Sequence, residues 1–299
     1  MDTFATALDS FLADLQRRKL RPNTIKSYRA DLRVAAQHLV APLATLGLED
    51  IEAFLGSEQR APATTARRAA TLRRFFAWAV RQHLCERNPL VDREPQRAST
   101  RRLPRPIRST SDLDAIDAAI AQAPQPYRLI FTIVRETGMR IGEVLSLQLG
   151  DVDLSPGREG LHVRESKNGS ERIAFLGSAP TPRALRGLRA LLKEIKGQPA
   201  HVPLFCSNRG TQVSYAAAQY QWAQLCEELG LLDDVGGRRK LRYTLHQLRH
   251  TRGSELMRDG QPMEIVQRVL GHRDIRSTQG YAELDDLQVR AALAGRQHR

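Results

Sequence analysis

His246-Gln247-Leu248-Arg249-His250 stands near the end of a 299-residue chain, followed by Leu270-Gly271-His272 and then Tyr281. About a hundred residues upstream lies Gly138-Met139-Arg140-Ile141-Gly142-Glu143, and between the two lies Glu165-Ser166-Lys167-Asn168-Gly169. These side chains suit attack on a phosphodiester. Guanidiniums are permanently charged planar forks that grip phosphate oxygens in pairs. Imidazoles donate hydrogen bonds or move protons near neutral pH. A tyrosine can hold a phosphoryl group covalently, although its ordinary pKa of about 10 makes it a poor nucleophile unaided. Two cations on the phosphate ease that attack and stabilise the pentavalent transition state. Taken singly, each motif is ordinary: Arg-x-x-Glu is commonly an i,i+3 ion pair, and a late tyrosine is commonly a packing residue. Their joint occurrence in this order and spacing points to chemistry.

The order Arg, Lys on a hairpin, His-x-x-Arg, Gly-His, Tyr resembles the tyrosine recombinase (phage integrase) family, over nearly the whole chain. Length and tail are most similar to the Xer site-specific recombinases. The resemblance implies that Arg140 and Arg249 clamp the phosphate, and that His246 and His272 hydrogen-bond to it and assist the tyrosine proton. It implies that Lys167 protonates the 5′-alkoxide leaving group as general acid, and that Tyr281 cleaves one strand through a 3′-phosphotyrosyl link. The bond energy stays in that link, so no cofactor and no ATP are expected. A homotetramer, or a heterotetramer with a second recombinase, would exchange strands between two sites on double-stranded DNA through a Holliday junction. Chromosome dimer resolution and integration or excision of a mobile element both fit. The alternatives are a type IB topoisomerase-like enzyme, which uses similar chemistry on one duplex, and a non-catalytic DNA-binding module. Gly280, directly before Tyr281, departs from the pattern and adds backbone freedom there.

Glu143 is expected to orient Arg140, and His250, one residue after Arg249, to face elsewhere. His246 and His250 have the i,i+4 spacing of a zinc pair. A metalloprotease would need Glu where the chain has Gln247, and no cysteine lies near in sequence, so no metal site is expected.

The elements around these residues fit. Leu161-His162-Val163 and Ile173-Ala174-Phe175 alternate as half-buried strands do. Asn168-Gly169 between them is a strong hairpin signal, which puts Lys167 at a tip able to enter a DNA groove. Pro262 suits the first turn of a helix through Ile265, Val266, Val269 and Leu270, ended by Gly271. After Tyr281, Leu284, Leu287 and Ala291 make a short amphipathic helix too small to stand alone; the resemblance implies that it docks on a neighbouring protomer.

The formal net charge is +13, with Arg far in excess of Lys, which favours an acidic polymer as partner. Cys85, Cys206 and Cys226 have no paired spacing, as in a reduced compartment. There is no signal-peptide pattern and no run near the roughly eighteen apolar residues of a membrane span. A cytoplasmic protein without a membrane partner is expected.

The fold class expected is mainly α with a small β-sheet. Residues 1–95 read as a helical DNA-binding domain of the core-binding (SAM-like) type that the resemblance implies. Phe4, Leu8, Phe11, Leu12 and Leu15 form one apolar stripe; helices through Tyr28–Leu39, Leu48–Leu55 and from about Thr64 follow. Lys26, Arg29 and Arg33 lie opposite the apolar face of the second helix, and Arg67, Arg74 and Arg81 recur opposite that of the fourth. Both stripes have almost no acidic partners on their own faces, and both are candidate DNA contacts. Residues 96–108 read as an extended Pro- and Arg-rich linker, able to follow the DNA backbone. Residues 109–299 read as a mixed α/β catalytic domain, with Asp233–Lys240 a mobile loop.

Overall fold

A computed structural model describes residues 3–57, 61–94, 103–164, 171–177 and 182–271. Lys167, Gly280, Tyr281, His272 and the tail after it lie outside the described residues, as does the hairpin tip. Backbone contacts divide the chain into two compact units, 1–102 and 103–299.

The first unit is helical: α1 Phe4–Arg17, α2 Pro22–Ala36, α3 Leu48–Gly56 and α4 Pro62–Arg81. Thr3 and Thr6 cap α1 reciprocally, a device worth about 1 kcal/mol. Pro22 and Pro62 open α2 and α4, where a missing N–H costs nothing. Phe4, Phe11, Phe75, Phe76 and Trp78 form the core. Phe11 meets Phe75 and Trp78 edge-on with centroids 5.4 Å apart, an arrangement that favours the ring quadrupoles.

The second unit is mixed. It contains α5 Thr110–Gln122, α6 Tyr127–Thr137, α7 Ile141–Leu145, β1 Val152–Asp153, β2 Gly160–Val163, β3 Arg172–Phe175, α8 Arg183–Glu194 and α9 Tyr215–Glu228. After these come β4 Leu232–Asp234, β5 Arg239–Leu241, α10 Leu245–Arg258 and α11 Met263–Leu270. The apolar face of α6, with Leu129, Ile130, Phe131, Ile133 and Val134, is buried, and the helix packs against α5, α7, α8 and α10. Strands β1, β2 and β3 form an antiparallel sheet. The mainly helical architecture with small sheets is the one expected.

Four local features depart from the sequence reading or add to it, for identifiable reasons. First, β3 has the opposite phase from its apolar alternation. Leu161 faces Ala174 and Val163 faces Arg172, so these four share the core side, because directly opposed residues lie on one face of a sheet. Ile173 and Phe175 stand outside at 49% and 50% exposure, and Ala174 is buried. Second, Asp233–Lys240 is not a loop: β4 and β5 pair antiparallel. Gly236 and Gly237 have φ of 63° and 72°, the two positive values that a type I′ hairpin turn requires. Third, the end of the linker is docked. Ile107 is buried, and its N–H donates to Thr251 Oγ1 on α10 at 3.0 Å. Fourth, Arg67 has an acidic partner. Asp31 of α2 is 4% exposed and pairs with Arg67 and Arg68 across the α2–α4 interface. A stripe read along one helix cannot register a carboxylate on its neighbour.

Candidate active site

Two glycine-capped helix ends frame the site. α6 stops at Gly138, with φ 69°, which a side chain would adopt only under strain. A Cβ there would also lie 2.7 Å from Leu270 Cδ2. α11 stops at Gly271, with φ 64°, as expected, although Pro262 sits at the cap position rather than inside the first turn. Arg140 follows Gly138 by two residues, and His272 follows Gly271 directly.

Arg249 joins these two ends. It rises from α10 and is 1% exposed. Its Nη1 donates to the carbonyl of Gly138 at 2.7 Å, and its Nη2 to the carbonyl of Leu270 at 2.6 Å. A buried guanidinium is tolerated only when hydrogen-bonded, and both carbonyls are helix-end acceptors left over by α6 and α11. These two bonds fix the plane of the fork.

The orientation of α10 is set at its start. Gln247 accepts a hydrogen bond from the Thr244 N–H at 2.9 Å, closing a capping box. Trp222 Nε1 donates to the Tyr243 carbonyl at 3.0 Å. The Gln247 that argues against a metalloprotease is therefore a helix cap. His246 and His250 meet edge-on, with ring centroids 4.5 Å apart. Burial, then the neighbouring His246 and Arg249, pushes His250 down to about 4. Near neutral pH His250 is thus uncharged.

Arg140 caps α7. Its backbone N–H donates to Glu143 Oε2 at 2.9 Å and its Nη1 to Glu143 Oε1 at 2.8 Å, so Glu143 orients it as expected. Glu143 is 5% exposed. A second guanidinium, that of Arg172 on β3, grips both oxygens, Nη1 to Oε1 at 3.2 Å and Nη2 to Oε2 at 2.8 Å. Burial would push the Glu143 carboxyl up. The hydrogen bonds and charge of Arg172, and then those of Arg140, outweigh it and hold the carboxyl below its ordinary range. Arg172 is the residue that sequence reasoning missed, because it sits on the face that β3's apolar pattern marks as outward.

The described members of the expected set, Arg140, His246 and Arg249, thus belong to one scaffold built from the ends of α6 and α11, α7, β3 and α10. Lys167, His272 and Tyr281 lie outside the described residues. Among the described residues no group of three or more His, Cys, Asp or Glu could hold a metal ion, and no helix is long and apolar enough to cross a membrane.

In the first unit, Lys26, Arg29 and Arg33 line one groove beside Gln16 and Leu20. Arg74 lies over the ring of Tyr28 at 5.6 Å, and Arg81 is exposed at the end of α4.

A model of the phage integrase family matches residues 110–288, and one of the phage integrase N-terminal SAM-like domain matches residues 8–83. The chain belongs to the phage integrase family. Among similar proteins is a tyrosine recombinase XerC of Mycobacterium sp. (strain JLS), 30% identical, with 97% of this chain and 97% of that protein covered. Another is the tyrosine recombinase XerC of Chromohalobacter salexigens, 29% identical over 88% of this chain and 86% of that protein. The fold is similar to that of a lambda integrase (75–356) dimer bound to a COC′ core site, with a TM-score of 0.72 at 18% identity, covering 94% of this chain and 95% of that one. It is also similar to the XerH site-specific recombinase bound to a palindromic difH substrate, with a TM-score of 0.69 at 19% identity, covering 95% and 84%.

Proposed function

We propose that the protein is a site-specific DNA recombinase that cuts and rejoins duplex DNA through a 3′-phosphotyrosyl intermediate at Tyr281. One observation carries this: one buried fork, that of Arg249, ties together the ends of α6 and α11 through the carbonyls of Gly138 and Leu270, which lie two residues before Arg140 and two before His272 in the chain. Arg140 and Arg249 clamp the scissile phosphate. His246 and His272 hydrogen-bond to it, and Lys167 protonates the 5′-oxygen. Four protomers on two DNA sites exchange strands in the cytoplasm, where that DNA lies. Membership of the family and the recombinase names of its relatives support this function. The division of labour is 1–95 for gripping DNA, 96–108 as connector and 109–299 for chemistry.

The test uses sites recovered by sequencing DNA bound to the purified protein. Strand exchange between two such sites in EDTA is the expected result, because Arg140 and Arg249 meet the phosphate charge without a metal. Relaxation of a supercoiled plasmid lacking any such site, with no exchange, would instead favour the topoisomerase alternative. Loss of cleavage in EDTA, restored by a divalent ion, would contradict metal-free chemistry.

Lys167→Ala should slow cleavage on ordinary DNA by roughly 10²–10⁴-fold, the range for general acid catalysis. A 5′-bridging phosphorothiolate, whose leaving group needs no proton, should restore most of the rate. Equal slowing on both substrates would remove Lys167 from that role.

Phosphate contacts in the first unit should appear in salt dependence. Arg29 and Arg33 share the α2 groove, and each true contact contributes about −0.9 to the slope of log affinity against log salt. Arg29→Ala with Arg33→Ala should therefore flatten the slope by about two. An unchanged slope would make that face merely solvated.

A further inference from the structure

We infer that Arg172 is a positioning residue for strand cleavage, acting through Glu143 on Arg140. This rests on the proposal that Arg140 grips the phosphate.

The two oxygens of Glu143 receive four donors. Oε1 takes Arg140 Nη1 and Arg172 Nη1, and Oε2 takes the Arg140 backbone N–H and Arg172 Nη2. The backbone bond fixes where residue 140 leaves the chain, and the side-chain bond fixes its direction. With Arg140 as its one counter-charge, a carboxylate this buried would form a closed, neutral pair and hold Arg140 to itself. With Arg172 present, two cations share one anion. The cluster keeps a net positive charge for an incoming phosphate, and Glu143 is bound on both oxygens by a residue other than the one that must reach DNA. The two parallel bonds suit the planar fork of arginine, and the point charge of lysine cannot reproduce them.

The same side chain touches the end of α11. A Cβ at Gly271 would lie 2.5 Å from Arg172 Nε and 2.6 Å from its Cδ, so the arginine stem runs directly along the glycine backbone. Gly271 is therefore required twice, by its positive φ and by this approach. Arg172 also follows Lys167 by five residues in the chain. One side chain thus touches both the holder of Arg140 and the glycine that ends α11.

The test uses full-length Arg172→Gln, Arg172→Lys, Glu143→Gln and the double variant Glu143→Gln/Arg172→Gln. Single-turnover cleavage of a nicked duplex site is followed across pH at saturating protein, beside DNA affinity and thermal midpoint. Arg172→Gln should cleave about a hundredfold more slowly, the scale of an ångström-level misplacement, with DNA affinity unchanged. Glu143 loses the partner that holds its carboxyl down, so it protonates at higher pH and the acid limb of the rate profile moves toward neutrality. Arg172→Lys should recover part of the rate and part of the profile. In the Glu143→Gln background, adding Arg172→Gln should cost less than about threefold, because residues acting through one group are not additive. The full loss in both backgrounds, or an acid limb that does not move, would overturn the inference. If Arg172→Gln does not fold, Arg172→Lys carries the comparison, and a wild-type rate and profile there would overturn it equally. Wild-type protein that forms no covalent link to DNA would sink the recombinase proposal itself; a wild type that cleaves alongside an Arg172→Gln that cleaves equally fast would sink this inference alone.

Discussion

Arg249→Ala should lower the thermal midpoint by roughly 6–20 °C and leave no measurable DNA cleavage. The side chain is 1% exposed and ties α10 to the ends of α6 and α11 through the carbonyls of Gly138 and Leu270. Removing it leaves two buried acceptors without that donor, at about 1–3 kcal/mol each, and a cavity where a guanidinium stood. A total of about 3–5 kcal/mol is a large share of the stability of a domain this size. Arg249→Lys separates the two effects. It keeps the charge but loses the planar fork that puts one nitrogen on each carbonyl, so stability should be intermediate while cleavage still falls by about 10²–10³-fold, as when an aligned donor leaves a developing oxyanion. A thermal midpoint for Arg249→Ala within a degree or so of the wild type would show that the carbonyl bonds do not hold the site together.

Much of this architecture is legible in the sequence because its causes are local. The stripe from Phe4 to Leu15 is buried along its length, the proline-led starts of α2 and α4 are where proline belongs, and Gly271 ends α11. Arg140, His246 and Arg249 could be chosen from residue type and spacing. What could not be read were relations between elements. The pairing of β2 with β3 turns Arg172 inward and Ile173 outward, against the alternation of β3 taken alone. Asp31 answers Arg67 from another helix. The carbonyls that seat Arg249 belong to the backbone, which carries no residue signature. The β4–β5 hairpin escaped because its strands are polar and short, although the Gly236-Gly237 turn between them was in view.

The central claim is that Tyr281 is the nucleophile. The sequence holds six tyrosines, and Tyr243, which directly precedes the α10 cap, is a rival in position. Its hydroxyl donates to Asp112 at 2.8 Å. Burial, then Asp112, pushes it up to about 12, which is the wrong direction for an attacking phenolate. The direct measurement is a nicked suicide duplex carrying the recovered site, incubated with wild-type and Tyr281→Phe protein, denatured in SDS and digested, with the DNA-linked peptide identified by mass. The wild type should accumulate an SDS-resistant complex with the 3′-phosphate on Tyr281, and Tyr281→Phe should bind the same DNA with equal affinity and form none. A covalent complex from Tyr281→Phe, or a wild-type linkage mapping to Tyr243 or any other residue, would contradict the account.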